Sequence, residues 1–153
     1  MAIERAREWL AKFGLDGRIL EFDTSSATVE LAAQAVGVAP ELIAKSLSFN
    51  TPDGPIVIVA AGDARVSNQA YRAQFGCRAR MIPVDDVEEL IGHAVGGVCP
   101  FGVNEGVRVY LDESLRRFET VYPAAGTASS CVRLSLPELE LTASKDWVAV
   151  TTY

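Results

Sequence analysis

Lys45-Ser-Leu-Ser-Phe-Asn-Thr-Pro-Asp-Gly-Pro-Ile-Val-Ile-Val-Ala-Ala61 decides the fold class. Its first six residues alternate like a half-buried strand, Thr51-Pro-Asp-Gly54 is a turn signal, and residues 55–61 are apolar enough for a buried strand. Strands joined by so short a turn pair antiparallel, so the sheet contains a hairpin. Outward from it the period keeps switching. Ile3, Ala6, Leu10 and Phe13 share a helical face that Gly14 can stop, and residues 18–22 read as a short strand. Ser25 or Ser26 is placed to cap a helix carrying Val29, Ala32, Ala33 and Val36, with Gly37 at its end and Pro40 opening a helical turn through Ala44. On the carboxyl side, a helix is expected over 67–75, a strand near 80–82, and a helix from a box-like Asp85/Glu88 to Ile91. Residues 92–106 hold five glycines and a proline and must be irregular. Strands follow at 107–111, 131–134 and 147–151, with Ser135-Leu-Pro-Glu138 capping a short helix between the last two. Helices interleaved with both hairpin and crossover strands predict an α+β fold with a mixed sheet.

Length and charge narrow the function. The 153 residues suit one domain, and 49% hydrophobic with 22% charged residues is a globular composition. A net charge of −6 repels nucleic acid and anionic membrane unless a local basic patch overrides it. Cys77, Cys99 and Cys131 are odd in number and widely spaced, which points to a reducing compartment rather than a disulfide framework. Met1-Ala-Ile-Glu-Arg-Ala-Arg-Glu8 carries both charges where a signal peptide needs an apolar run, and no apolar run approaches the ~20 residues that span a bilayer. A soluble cytoplasmic domain is the expectation. One histidine and three scattered cysteines do not make a zinc cluster, and no phosphate loop, dinucleotide loop or serine-nucleophile elbow occurs.

Four features remain. Lys45, one of three lysines, falls by period two on the face of Leu47 and Phe49. A cation there is costly unless it is paired or open to a pocket; the other reading is a strand-end lysine that snorkels to solvent. Gly92-His-Ala-Val-Gly-Gly-Val-Cys-Pro-Phe-Gly102 either brings backbone N–H groups close to a ligand or simply crosses the core. Ala124-Ala-Gly-Thr127 is a similar small-residue turn. Between Asp63 and Asp85 there is no acidic residue, yet Arg65, Arg72, Arg78 and Arg80 lie there with Tyr71 and Phe75 interleaved. Such a stretch either holds phosphates or is a solvated face.

Ile43-Ala-Lys-Ser-Leu-Ser-Phe49, Val59-Ala-Ala-Gly-Asp63, Gly92-His-x-x-Gly-x-x-x-Pro100, Val109-Tyr-Leu-Asp112, Ala125-Gly126 and Cys131-Val-Arg-Leu-Ser135 occur in that order over about residues 20–150. In this combination the chain resembles the YbaK/prolyl-tRNA synthetase-associated editing domains. The resemblance implies a single editing domain over residues 1–153, with a mixed, partly barrel-like sheet flanked by helices. It implies a free-standing hydrolase of mischarged tRNA, expected to be tRNA-Pro carrying a small amino acid such as Cys or Ala. It implies no cofactor, no metal and no covalent protein nucleophile. Lys45 would hold the substrate's 3′-terminal nucleotide or aminoacyl end, and the backbone of Gly96, Gly97 and Pro100 would place the ester carbonyl. Ser46, His93, Val98, Cys99, Asp112 and Gly126 are expected around the substrate, and Arg65, Arg72, Arg78 and Arg80 on tRNA. Ser46 stands where alanine-specific members favour Asn, which leaves the amino acid open. The expected partners are the tRNA acceptor end and prolyl-tRNA synthetase, with no membrane, for a monomer or weak homodimer. The alternatives are a non-catalytic tRNA- or synthetase-binding module and a hydrolase of a small free ester or amide.

Overall fold

A computed structural model describes residues 2–153; Met1, first residue of the charged amino-terminal stretch, lies outside the described residues. Helix α1 (Ala2–Ala11) buries Ala6 and Leu10, and the chain turns at Gly14, φ 73°. Strand β1 (Ile19–Glu21), helix α2 (Val29–Val36) and a 3₁₀ turn at Pro40–Leu42 lead into the hairpin β2 (Ile43–Thr51) and β3 (Gly54–Ala61). Then come β4 (Arg65–Val66), α3 (Asn68–Phe75) and α4 (Val84–Ile91). Past the irregular glycine-rich stretch lie β5 (Arg108–Asp112), a 3₁₀ turn at Glu113–Arg117, β6 (Thr120–Pro123), β7 (Ser130–Val132) and β8 (Leu134–Ser135). Helix α5 (Leu136–Thr142), β9 (Trp147–Val148) and β10 (Thr151–Thr152) complete the chain.

Six strands form one mixed sheet in the order β8-β6-β2-β3-β5-β9, curled into a half-barrel, with small pairs β1-β7 and β4-β10 at its margins. β2 and β3 are antiparallel from Ala44↔Ala61 to Thr51↔Gly54, whereas β2-β6, β3-β5 and β5-β9 are parallel. Strand β3 is covered on both faces, which is why Ile56–Ala61 reads as a continuous apolar run and is buried throughout. Period two sends Val57, Val59 and Ala61 into the larger core with Leu10, Ile91 and Leu139. Ile56 and Ile58 join Phe49, Tyr71, Val148 and Val150 in a second core on the other face. Tyr71 and Phe75 therefore anchor α3 to the sheet through a ring chain, Phe49–Tyr71 at 5.1 Å and Tyr71–Phe75 at 4.7 Å. They are not a stacking surface among the arginines.

Several local expectations shift. The α2 cap is Thr28, whose hydroxyl accepts from Leu31 N, because Ser26 N is taken by Ala128 O and Ser25 serves the preceding turn. Helix α4 starts after Pro83 without a side-chain cap; Asp85 and Asp86 lie in its first turn, where the helix dipole favours them. Residues 80–82 make one bridge, Met81 to Phe49, rather than a strand. Residues 147–151 divide between β9 and β10, since Val150 N turns to donate to the Asp112 carboxylate. The helical turn opened by Pro40 ends at Leu42, and β2 begins at Ile43. Among the described residues no helix is long and apolar enough to cross a membrane.

Ser135 forms the expected capping box: its hydroxyl accepts from Glu138 N at 3.2 Å and Glu138 Oε1 accepts from Ser135 N at 2.9 Å. Ser135→Ala should cost about 1 kcal/mol, read as a fall of roughly 2–4 °C in Tm by thermal denaturation. An unchanged Tm would remove the box from the stabilising contacts.

Candidate active site

A cleft of about 230 Å³ opens between α2, the β2 end of the hairpin, the start of α4 and the glycine-rich loop. That is below the ~300–1,000 Å³ of drug-sized sites, a size that suits a small group better than a whole nucleotide. Ala27, Val29, Ala32, Ile43, Ala44 and Val98 give it an apolar wall, and Lys45, Ser46 and Gly96 also line it.

Lys45 is half-buried. Its ammonium donates to the carbonyl of Gly62 at 3.3 Å and to that of Ala64. Burial lowers its pKa from the ordinary lysine value; Asp63 opposes that shift, Arg65 adds to it and Glu30 opposes it. The lysine therefore neither snorkels freely nor sits unpaired. Its acceptors lie in the short turn between β3 and β4, and Gly62 is required there. A Cβ on Gly62 would stand 2.1 Å from the Pro40 carbonyl oxygen and 2.8 Å from Val29 Cγ1.

The opposite wall is the loop 92–102. Gly97 N donates to Ala94 O at 3.0 Å, closing a turn in which Gly96 takes φ 90°. Gly96 faces the cleft beside Ala27 and Ala128. Gly97 is buried behind it, and a Cβ there would lie 2.6 Å from the Gly126 carbonyl group and Thr127 N. Gly126, φ 97°, is thus the backbone on which the loop rests. Among the described residues, the N–H groups of Gly96 and Val98 have no acceptor, whereas that of Gly97 is used.

His93 and Cys99 lie beneath the loop and are fully buried. His93 Nε2 is 2.7 Å from Phe101 O, so this nitrogen carries the proton and donates, and Cys99 Sγ sits 3.5 Å from the same nitrogen. Burial lowers the His93 pKa and pushes the Cys99 thiol up to about 12. Both side chains support the loop from inside. Arg5 braces it from α1, donating to Gly92 O at 3.2 Å and Asn104 Oδ1 at 2.7 Å. Pro100 is buried away from the cleft, against a separate groove with Trp9 and Val103.

Asp112 also lies apart from the cleft. It is fully buried, accepting from Ser114 N (2.9 Å), Val150 N (2.9 Å) and Thr151 Oγ1 (2.6 Å). The structure thus brings together Lys45, Ser46, Gly96 and Val98. It places Gly97, His93, Cys99 and Pro100 on the buried side of the loop, Gly126 behind it, and Asp112 elsewhere. Gly62 and Ala64, which hold the ammonium, and Ser26, which lines the cleft, are not among the residues the sequence singles out for the site. The Val59-Ala-Ala-Gly-Asp63 match was the signal that contained the first.

Arg72, Arg78 and Arg80 surround a second cleft with Asn68 and Gln69; Arg65 stands outside it on β4. All four arginines are exposed. Among the described residues, none of the three clustered arginines forms an ion pair. The two clefts are linked by backbone: Asn50 N donates to Arg80 O at 2.8 Å and Ile82 N to Ser48 O at 3.1 Å, and Met81 and Ile82 line the first cleft. From Asn50 back to Lys45 along β2 is roughly 17 Å at the rise of an extended strand. No group of three or more His, Cys, Asp or Glu placed to hold a metal occurs among the described residues.

YwhH of Bacillus subtilis strain 168, an uncharacterized protein, is 47% identical over 152 residues, 98% of this chain and 97% of YwhH. Proline–tRNA ligase of Kosmotoga olearia is 27% identical over 90 residues, 58% of this chain and 16% of the ligase. The solved structure of a candidate trans-editing enzyme for prolyl tRNA synthetase superposes with TM-score 0.87 at 30% identity, covering 99% of this chain and 98% of that one. Residues 23–141 match the aminoacyl-tRNA editing domain, so this chain belongs to the aminoacyl-tRNA editing domain family.

Proposed function

We propose that the chain, acting as one editing domain, hydrolyses the ester between a small amino acid and the 3′ end of a mischarged tRNA, with tRNA-Pro the expected acceptor. The observation that carries this reading is the Lys45 ammonium, held by two carbonyls at a small apolar cleft that is also lined by Gly96 and Val98, whose N–H groups have no acceptor among the described residues. The relationship to a proline–tRNA ligase and to a candidate trans-editing enzyme supports the choice of tRNA and of prolyl-tRNA synthetase as a partner.

Lys45 holds the anionic or carbonyl-rich end of the substrate, and the amides of Gly96 and Val98 receive the ester carbonyl oxygen as it gains negative charge. Water, oriented by the terminal ribose hydroxyl, adds to the carbonyl carbon. The bond to the ribose oxygen then breaks, and the water's proton passes to that oxygen, leaving free amino acid and tRNA. Positioning supplies the rate, with no protein nucleophile. His93 has no part in proton transfer, because its ring is buried behind the loop.

The arginine cleft takes backbone phosphates of the acceptor strand. Neutralising Arg72 and Arg80 should raise KM for full-length tRNA more than it lowers kcat, flatten the salt dependence of binding, and leave a minimal aminoacyl-adenosine mimic turned over almost normally. Equal losses on tRNA and mimic would assign the arginines to the fold. Binding of tRNA with turnover of neither substrate would identify a binding module. Equal turnover of the mimic and tRNA by the parent protein would identify a hydrolase of small esters.

A further inference from the structure

Lys45 owes its position to the turn 61–65, and that turn is held from outside the cleft. Ala61 N donates to Ser114 Oγ at 3.0 Å, and Ala64 N closes back on Ala61 O at 3.0 Å. Between them Asp63 receives both terminal nitrogens of Arg117, at 3.0 and 2.6 Å, while Arg117 Nε donates to Ser114 O at 2.9 Å. The guanidinium is steadied by the rings of Phe118 and Tyr153, 4.7 and 4.1 Å from their centroids. Asp112 caps the Glu113–Arg117 turn and also fastens Val150 and Thr151, so that Thr151 and Thr152 pair with Val66 and Arg65 just beyond. Both ends of the carbonyl-bearing turn are therefore tied to elements that Asp112 organises.

We propose that Asp63 and Arg117 are a positioning pair for Lys45: their bidentate contact fixes the Gly62 and Ala64 carbonyls that hold the ammonium. Neither side chain lines the cleft. The charged groups that bear on Lys45 are Asp63 and Glu30, which favour the ammonium, and Arg65, which disfavours it. Arg117 offers a planar fork that a lysine lacks, so charge alone does not replace it.

This rests on the proposed role of Lys45 and is tested by two independent readouts on folded protein. One is the pH profile of kcat/KM; the other is the titration of Lys45 followed by NMR of labelled lysine, where only Lys12, Lys45 and Lys145 contribute. Asp63→Asn should move the Lys45 titration to lower pH, move the alkaline limb of kcat/KM with it, and lower kcat/KM by about ten- to a hundredfold. Arg117→Lys should lower turnover less than Arg117→Ala and leave Asp63 free to hold Lys45 charged. A folded Asp63→Asn protein with unchanged Lys45 titration overturns the proposal, whether or not its turnover falls. Full activity of Lys45→Ala would instead overturn the role of Lys45, while the NMR titration would still score the pair.

Discussion

Lys45→Ala should reduce hydrolysis of mischarged tRNA by about a hundredfold or more, the scale on which loss of substrate positioning acts, without lowering Tm. Two costs oppose each other in the folded state. Losing the ammonium leaves the carbonyls of Gly62 and Ala64 short of a donor, about 1–3 kcal/mol if water cannot reach them. The half-buried site is open to the cleft, so water can take the ammonium's place, and the desolvation that depresses the Lys45 pKa is relieved. Stability should therefore stay within about 1 kcal/mol of the parent. Single-turnover rates and a thermal melt on the same preparation check both halves. Turnover close to the parent's by folded Lys45→Ala would withdraw the site assignment.

Gly97→Ala should have the next largest effect. Its new methyl would meet backbone on the facing turn, Gly126 and Thr127 at 2.6 Å, where neither side can rotate away. The loop must shift, carrying the Gly96 and Val98 amides with it. Overpacking of this kind costs roughly 1–3 kcal/mol, and displacement of the amides should lower kcat/KM by about a hundredfold. Gly96→Ala meets only the methyls of Ala27 and Ala128 at 3.3 Å, but its φ of 90° is strained for any side chain. Its loss should be smaller. The reverse order would mean that Gly96, not the Gly97–Gly126 contact, sets the loop.

Much of this was legible because local signals agreed with the global fold. The 45–61 hairpin carried alternation, a turn and an apolar run in one stretch, and Ser135 and Gly37 are the caps their spacing predicted. Lys45 and Gly96, read from the residues, and Ser46 and Val98, implied by the resemblance, line one cleft. What escaped depends on distant partners. Gly62 is needed because of the Pro40 carbonyl, which no local pattern announces. Residues 147–151 read as one strand because nothing local shows Asp112 drawing Val150 out of line. Asp112, matched with the substrate-contacting positions, turns out to bond only within the scaffold. Tyr71 and Phe75 alternate with arginines in sequence, yet helical geometry turns the rings inward and leaves the charges outside.

The most direct test of the account is release of labelled amino acid from mischarged tRNA-Pro by the purified protein in EDTA. Alanyl, cysteinyl, seryl, threonyl and 2-aminobutyryl esters should be compared. The account predicts enzymatic release of at least one small amino acid, unchanged by the chelator. Release no faster than in buffer for every ester, or loss in EDTA restored by zinc, would contradict it.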